Sequence, residues 1–167
     1  MAFVRSAGAA VCAAAALLLP SSGTLSFAEP RAAPDRSATP PVTLGEVAAS
    51  PAEGSTRLSN LGELLRRDLE AELGAVDWKA EGLRRRYTLS AAVVRVSSAP
   101  DGDRNVRASC TVSASIRDAE RSAVLAIVEG KAKADGPGAM DDAERDALAG
   151  AVHGAIRALP EAIRRAQ

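Results

Sequence analysis

The sequence predicts an α+β domain in which a three-stranded antiparallel meander packs with two helices. Residues 106–116 alternate without exception between apolar and polar side chains, which is typical of a strand with one buried face and one solvated face. Turn-forming segments separate this strand from two further alternating stretches, at 87–97 and 124–134. Apolar residues at helical spacing precede and follow the three strands, and they predict one helix on each side.

The amino terminus has the pattern of a secretory signal peptide over residues 1–28. Arg5 supplies a positive charge, Ala7 to Leu19 are apolar, and Ser26-Phe27-Ala28 is a small-x-small cleavage site. The apolar stretch is shorter than the roughly 20 residues that a membrane-spanning helix needs. We therefore expect export with cleavage after Ala28, with retention of the leader as an anchor as the alternative.

Residues 29–57 are rich in proline and alanine, and we expect a flexible segment there. Within it, residues 42–47 alternate like a short strand, which would be the fourth of the sheet. Pro41 directly before it would confine that strand to an edge or a strand start. The remaining residues, 58–167, are expected to form a single domain, because this length is close to the usual size of one core.

The first helix is predicted from Asn60 to Gly74. Asn60 is a candidate cap with Glu63 three residues later, and leucines recur at helical spacing. A basic run, residues 84–86, then precedes the first strand of the meander. These arginines are compatible with a contact to phosphate or anionic lipid. The alternative is that they are simply solvent-exposed residues before the strand.

In the middle strand, Cys110 falls on the inward alternation and is predicted to be a buried thiol. In the third strand, Val124, Ala126, Val128, Gly130, Ala132 and Ala134 form the inward set. Leu125 and Ile127 then face outward beside polar side chains of the neighbouring strand, which makes them the candidate partner contact. The alternative is that the first helix covers them.

The second helix is predicted after Gly138. Asp141 and Glu144 form a capping pair, and apolar residues from Leu148 to Ile163 keep a helical stripe that should cover the inner face of the sheet. Pro160 lacks a backbone N–H, so a kink or restart is expected near Leu159.

The composition excludes several function classes. The 21 basic and 21 acidic side chains balance, and aromatic residues are 2% of the chain, so neither a nucleic-acid partner nor a stacking platform is expected. Cys110 and His153 are the only candidate nucleophile–base pair, and no spacing fits a metal site or a phosphate-binding loop. We therefore predict no catalytic residue, no cofactor-binding residue and no metal ligand.

Residues 112–119 followed by 124–130 form a strand, an acidic turn and a second strand. Together with the element order, this resembles the small α/β domain of bacterial envelope assembly factors: the curli secretion lipoprotein, the penicillin-binding-protein activator lipoproteins and the amino-terminal domain of the Tol propeller protein. The chain departs from that group at Arg121-Ser122, where a turn glycine is usual, and it has no lipidated cysteine. The resemblance implies binding to an envelope partner without catalysis.

The sequence thus predicts an exported, non-catalytic binding or scaffolding protein of the bacterial envelope, periplasmic or extracellular. Its partner would be an envelope protein or another copy of the chain, and no membrane span would remain after cleavage of the leader. The alternatives are a small exported hydrolase and a protein that lies on the membrane surface through the second helix and its arginines.

Overall fold

A computed structural model describes residues 41–83, 85–102 and 104–167. The leader and the first part of the proline-rich segment lie outside the described residues. Within these ranges, two helices and five strands follow one another: β1 (Val42–Ala48), β2 (Glu53–Gly54), α1 (Leu61–Ala75), β3 (Tyr87–Asp101), β4 (Asn105–Asp118), β5 (Val124–Pro137) and α2 (Met140–Arg165). Neither described helix is long and apolar enough to cross a membrane.

The sheet is mixed, which corrects the prediction of a purely antiparallel meander. Strands β3, β4 and β5 form the predicted antiparallel meander, and β1 and β2 both pair with β3 in parallel. The predicted short strand at 42–47 is present as β1. A parallel neighbour needs a crossover connection, and α1 lies within the one that joins β1 to β3.

The alternation in sequence decides which face of the sheet is buried. From β3 the side chains of Tyr87, Leu89, Ala91 and Val93 point into the core, and from β4 those of Ala108, Cys110, Val112, Ala114 and Ile116 do so. Both helices cover this same face, because α1 contacts α2 and β1 while α2 contacts β3, β4 and β5. The opposite face of the sheet is left open by the described residues.

Helix α2 lies directly on β5 because the strand carries a glycine where the helix crosses it. A Cβ built on Gly130 would stand 1.8 Å from the carbonyl oxygen of Ala151 and 2.7 Å from the nitrogen of Ala155. Only glycine permits this approach of helix backbone to strand backbone. Gly150, whose Cβ would stand 2.9 Å from Cβ of Ala132, keeps the next turn of α2 close as well.

The predicted helix caps are not used. Helix α1 begins at Leu61, but Asn60 makes no side-chain capping hydrogen bond. Helix α2 begins at Met140 after Ala139, so Asp141 lies inside its first turn and does not cap it. The helix also continues through the buried Pro160 to Arg165, and the predicted restart near Leu159 does not occur.

The turn between β4 and β5 contains the one non-glycine residue of the described chain with positive φ, Ser122 at 55°. Its backbone N–H donates to the carbonyl oxygen of Asp118 at 2.8 Å.

We expect Ser122→Gly to stabilise the domain by about 0.5–1 kcal/mol, because glycine adopts this conformation without steric cost. Urea unfolding of both proteins measures the change, and Ser122→Val should shift the midpoint in the opposite direction. A less stable glycine variant would contradict this description of the turn.

Candidate partner-binding surface

The open face of the sheet is polar at its centre. Its inner strands carry the hydroxyl groups of Thr88, Ser90, Ser109, Thr111, Ser113 and Ser115. A shallow hollow of about 540 Å³ lies over this part of the sheet. Ile127 of β5 is at its border, and its side chain is 66% exposed.

Leu125 and Ile127 do not share a face, although strict alternation places them on one. Ala126 pairs with Ile116 and Val124 pairs with Arg117, so Leu125 is an extra residue in β5 without a partner opposite. This β-bulge reverses the alternation before Ala126. Leu125 is half-buried and packs against the core, whereas Val124, predicted to point inward, is 51% exposed. Helix α1 covers neither residue, because among the described elements it contacts β1 and α2 and not β5.

A groove of about 550 Å³ runs between β5 and the carboxyl-terminal half of α2. Leu125, Ile127 and Val128 line one wall, and Ala158 and Ala162 line the other. Glu161 and Arg165 form an ion pair of 2.9 Å at its rim. The groove is therefore apolar inside and charged at its border, which is the arrangement of a protein-binding surface.

The edge of β5 beyond this groove carries charged side chains that point away from the helices. Glu129 and Lys131 form an ion pair of 2.9 Å, and Asp135 accepts from Arg107 at 2.9 Å. In the sheet order β1-β3-β4-β5, no described strand pairs with the free side of β5. We call the β5 edge together with the groove and Ile127 the β5–α2 surface.

Sequence reasoning missed the role of Glu144, which it treated as a capping residue. Its side chain is fully buried and accepts hydrogen bonds from Ser98 Oγ at 2.6 Å, Thr56 Oγ1 at 2.8 Å and the backbone N–H of Arg57 at 3.0 Å. All three donors are uncharged. Glu144 thus joins α2 to β3 and to residues 56–57, part of the segment predicted above to be flexible.

Asp118 is the second buried acid, and it organises the turn after β4. Its carboxylate accepts from the backbone N–H groups of Arg121 at 3.1 Å and Glu120 at 2.9 Å, and Arg85 lies 3.4 Å away. These hydrogen bonds, the one from Arg121 first, hold the pKa of Asp118 below its usual value. Arg85, from the basic run, thus contacts this carboxylate.

The structure does not bring Cys110 and His153 together as a catalytic pair. The Cys110 side chain is buried in the sheet, whereas His153 lies on the exposed side of α2 with Nδ1 2.9 Å from Oε2 of Glu72. Among the described residues, no three potential metal ligands of the His, Cys, Asp or Glu type form a cluster.

We expect Cys110 to be unreactive in the folded protein. Burial raises the pKa of its thiol to about 11, and the negative charge of Glu144 adds to the effect. Because the thiolate is the reactive form, a bulky thiol reagent at pH 8 should label the folded mature chain about 100-fold more slowly than the chain in urea. The chromophore that the reagent releases on reaction measures the labelling rates of the folded chain and of the chain in urea. Equal rates would contradict burial of Cys110.

No protein-family model matches the chain, and no curated protein sequence matches it. Among solved structures, a Xanthomonas campestris protein of family DUF330 is similar with a TM-score of 0.51 at 12% identity, over 74% of this chain and 85% of that one. This similarity shows the α+β fold alone. It does not show the specific envelope assembly factors that the sequence was predicted to resemble.

Two further structures are similar at lower scores. A Caulobacter crescentus protein described as a lipoprotein has a TM-score of 0.45 at 18% identity, over 75% of this chain and 90% of that one. The PelC dodecamer of Paraburkholderia phytofirmans has a TM-score of 0.41 at 17% identity, over 68% of this chain and 86% of that one. At these scores neither similarity supports an argument about this chain.

Proposed function

We propose that this chain is an exported, non-catalytic binding or scaffolding protein of the bacterial envelope that holds its partner on the β5–α2 surface. The observation that carries the proposal is the position of Ile127. It is 66% exposed, more than any other large hydrophobic side chain of the described residues, and it borders both an apolar groove and an unpaired strand edge. Large apolar side chains at such a place mark interaction sites.

Export is supported by the leader, which has the charge, apolar stretch and cleavage site of a secretory signal. A role without catalysis is supported by the separation of Cys110 from His153, the nucleophile–base pair considered from the sequence. The membrane-surface alternative is disfavoured because the apolar stripe of α2 is already used: Leu148, Val152, Ile156, Leu159 and Ile163 are buried against the sheet. Arg164 and Arg165 are paired with Glu161.

The test replaces Ile127 with aspartate. Because the side chain is exposed, Ile127→Asp should change the free energy of unfolding by no more than about 0.5 kcal/mol. It should abolish recovery of the partner when the tagged mature protein is incubated with envelope extract and washed. Ala48→Asp is the control, since Ala48 is also exposed but lies on β1 at the opposite edge. Equal recovery by the Ile127 and Ala48 variants would contradict the proposal.

The helix wall of the groove offers a second, matched pair of variants. Ala158 and Ala149 are both exposed on α2, and only Ala158 lines the groove. Ala158→Glu should therefore weaken recovery of the partner while Ala149→Glu leaves it unchanged. If both variants behave like the unmodified protein, the groove is not part of the interface.

A further inference from the structure

We propose that the β5–α2 surface binds one extended strand of a partner, added to the free edge of β5, with apolar side chains toward α2 and acidic side chains opposite Lys131 and Lys133. This inference rests on the proposed function and specifies the occupant of the same surface. Three observations support it: the regular pairing of β5 at the edge of the sheet, the open groove between β5 and α2, and the charged side chains of β5.

Strand β5 is the long, regular edge of the sheet. It has 14 residues, and every residue from Ala126 to Pro137 pairs with β4 without interruption. On the free side, the backbone N–H and C=O groups of such an edge are available to another strand. The opposite edge is less suitable, because β1 has seven residues and its pairing shifts between Leu44 and Val47.

Helix α2 leaves room beside β5 for the side chains of an added strand. A new strand would lie about 4.8 Å from β5, and its inward side chains would point to the same side of the sheet as α2. The helix presents the small residues Ala158 and Ala162 there, with Glu161 and Arg165 at the rim, and the groove beside them is open. Large apolar side chains of the added strand would fill that groove.

A second copy of this chain fits the edge less well than a single strand does. Two β5 strands paired antiparallel about Gly130 would place both α2 helices on the same side of the joined sheet. Because α2 lies directly above Gly130, the two helix axes would be only about 5 Å apart, whereas packed helices need 8–10 Å. A segment without its own covering helix meets no such clash at this edge.

The charged side chains of β5 indicate which charge the polar side chains of the added strand carry. Arg95, Lys131 and Lys133 surround a hollow of about 440 Å³ on the open face. Arg95 is paired with Glu53 and Lys131 with Glu129, but no carboxylate within the described ranges lies within 4 Å of the Lys133 amine. Acidic side chains on the added strand would complement this cluster.

The test uses two synthetic probes, an eight-residue peptide of alternating valine and glutamate and the same peptide with lysine in place of glutamate. Amide resonances of the isotope-labelled mature protein are followed during titration. We expect the glutamate peptide to shift resonances of residues 126–134 and of Ala158 and Ala162, and to slow hydrogen exchange in β5. The lysine peptide should bind at least tenfold more weakly.

A double charge reversal, Lys131→Glu with Lys133→Glu, should invert the preference between the two peptides while the melting temperature reports intact folding. Equal binding of both peptides, or shifts confined to β1, would overturn the inference. So would a dimer in sedimentation whose β5 amides are protected without peptide. If neither peptide binds while Ile127→Asp still loses its envelope partner, strand addition is wrong and the proposed function stands. If Ile127→Asp also keeps its partner, both are wrong.

Discussion

Gly130→Ala should lower the stability of the domain by about 3 kcal/mol or more, which corresponds to a fall of roughly 10 °C in melting temperature. The added methyl group would stand 1.8 Å from the carbonyl oxygen of Ala151. That atom belongs to helix backbone, so no side-chain rotation relieves the clash, and α2 must move away from the sheet. The helix supplies a large part of the core, including Leu148, Val152 and Ile156, and its movement loosens their packing.

Gly136→Ala is the matched control, because Gly136 also lies in β5 and a Cβ there would meet no atom within 4 Å. Thermal unfolding followed by circular dichroism compares the two variants with the unmodified protein. The control should stay within about 1 kcal/mol of the unmodified protein. Equal melting temperatures for the two variants would show that α2 does not lie against Gly130 as described.

Glu144→Ala should lower the free energy of unfolding by about 3–5 kcal/mol, a large share of the 5–15 kcal/mol typical of a domain. The substitution removes a buried acceptor and leaves three donors without a partner: Ser98 Oγ, Thr56 Oγ1 and the backbone N–H of Arg57. Residues 56–57 would also lose their connection to α2. Urea titration measures the change.

Asp142→Ala is the control for this loss. Asp142 lies in the same turn of α2, but its side chain is exposed and pairs only with Arg145 at 3.1 Å. Its removal should cost less than about 1 kcal/mol. A Glu144 variant as stable as the Asp142 variant would mean that the three donors find other partners.

The meander and both helices were predictable from the sequence, because each follows from periodicity within one segment. The parallel pairing of β1 was not, since it depends on which edge of the sheet the strand joins after α1. The alternation in residues 42–47 predicts a strand, but it does not show which strand of the sheet will pair with it. The sequence of a strand also does not show where the backbone of a helix will contact it. From the sequence alone, Gly130 is therefore only a small residue on the inward side of β5, and its contact with α2 is visible only in the structure.

The candidate site was predictable only in part. The apolar character of Leu125 and Ile127 is visible in the sequence, but the bulge that separates their faces is set by the pairing of Val124 with Arg117. The role of Glu144 was hidden for a different reason. Its partners are more than 40 positions away in the chain, whereas the capping pattern with Asp141 is local. No local sequence pattern indicates that a carboxylate will be buried among uncharged donors that lie so far away in the chain.

The central claim, that the β5–α2 surface holds the partner, is tested most directly by photo-crosslinking in the producing cells. A benzophenone amino acid is placed in turn at positions 127 and 158 on the surface and at positions 48 and 149 outside it. We predict one discrete crosslinked product from 127 and from 158, and none from 48 or 149. A product from 48 or 149 with none from 127 would contradict the claim.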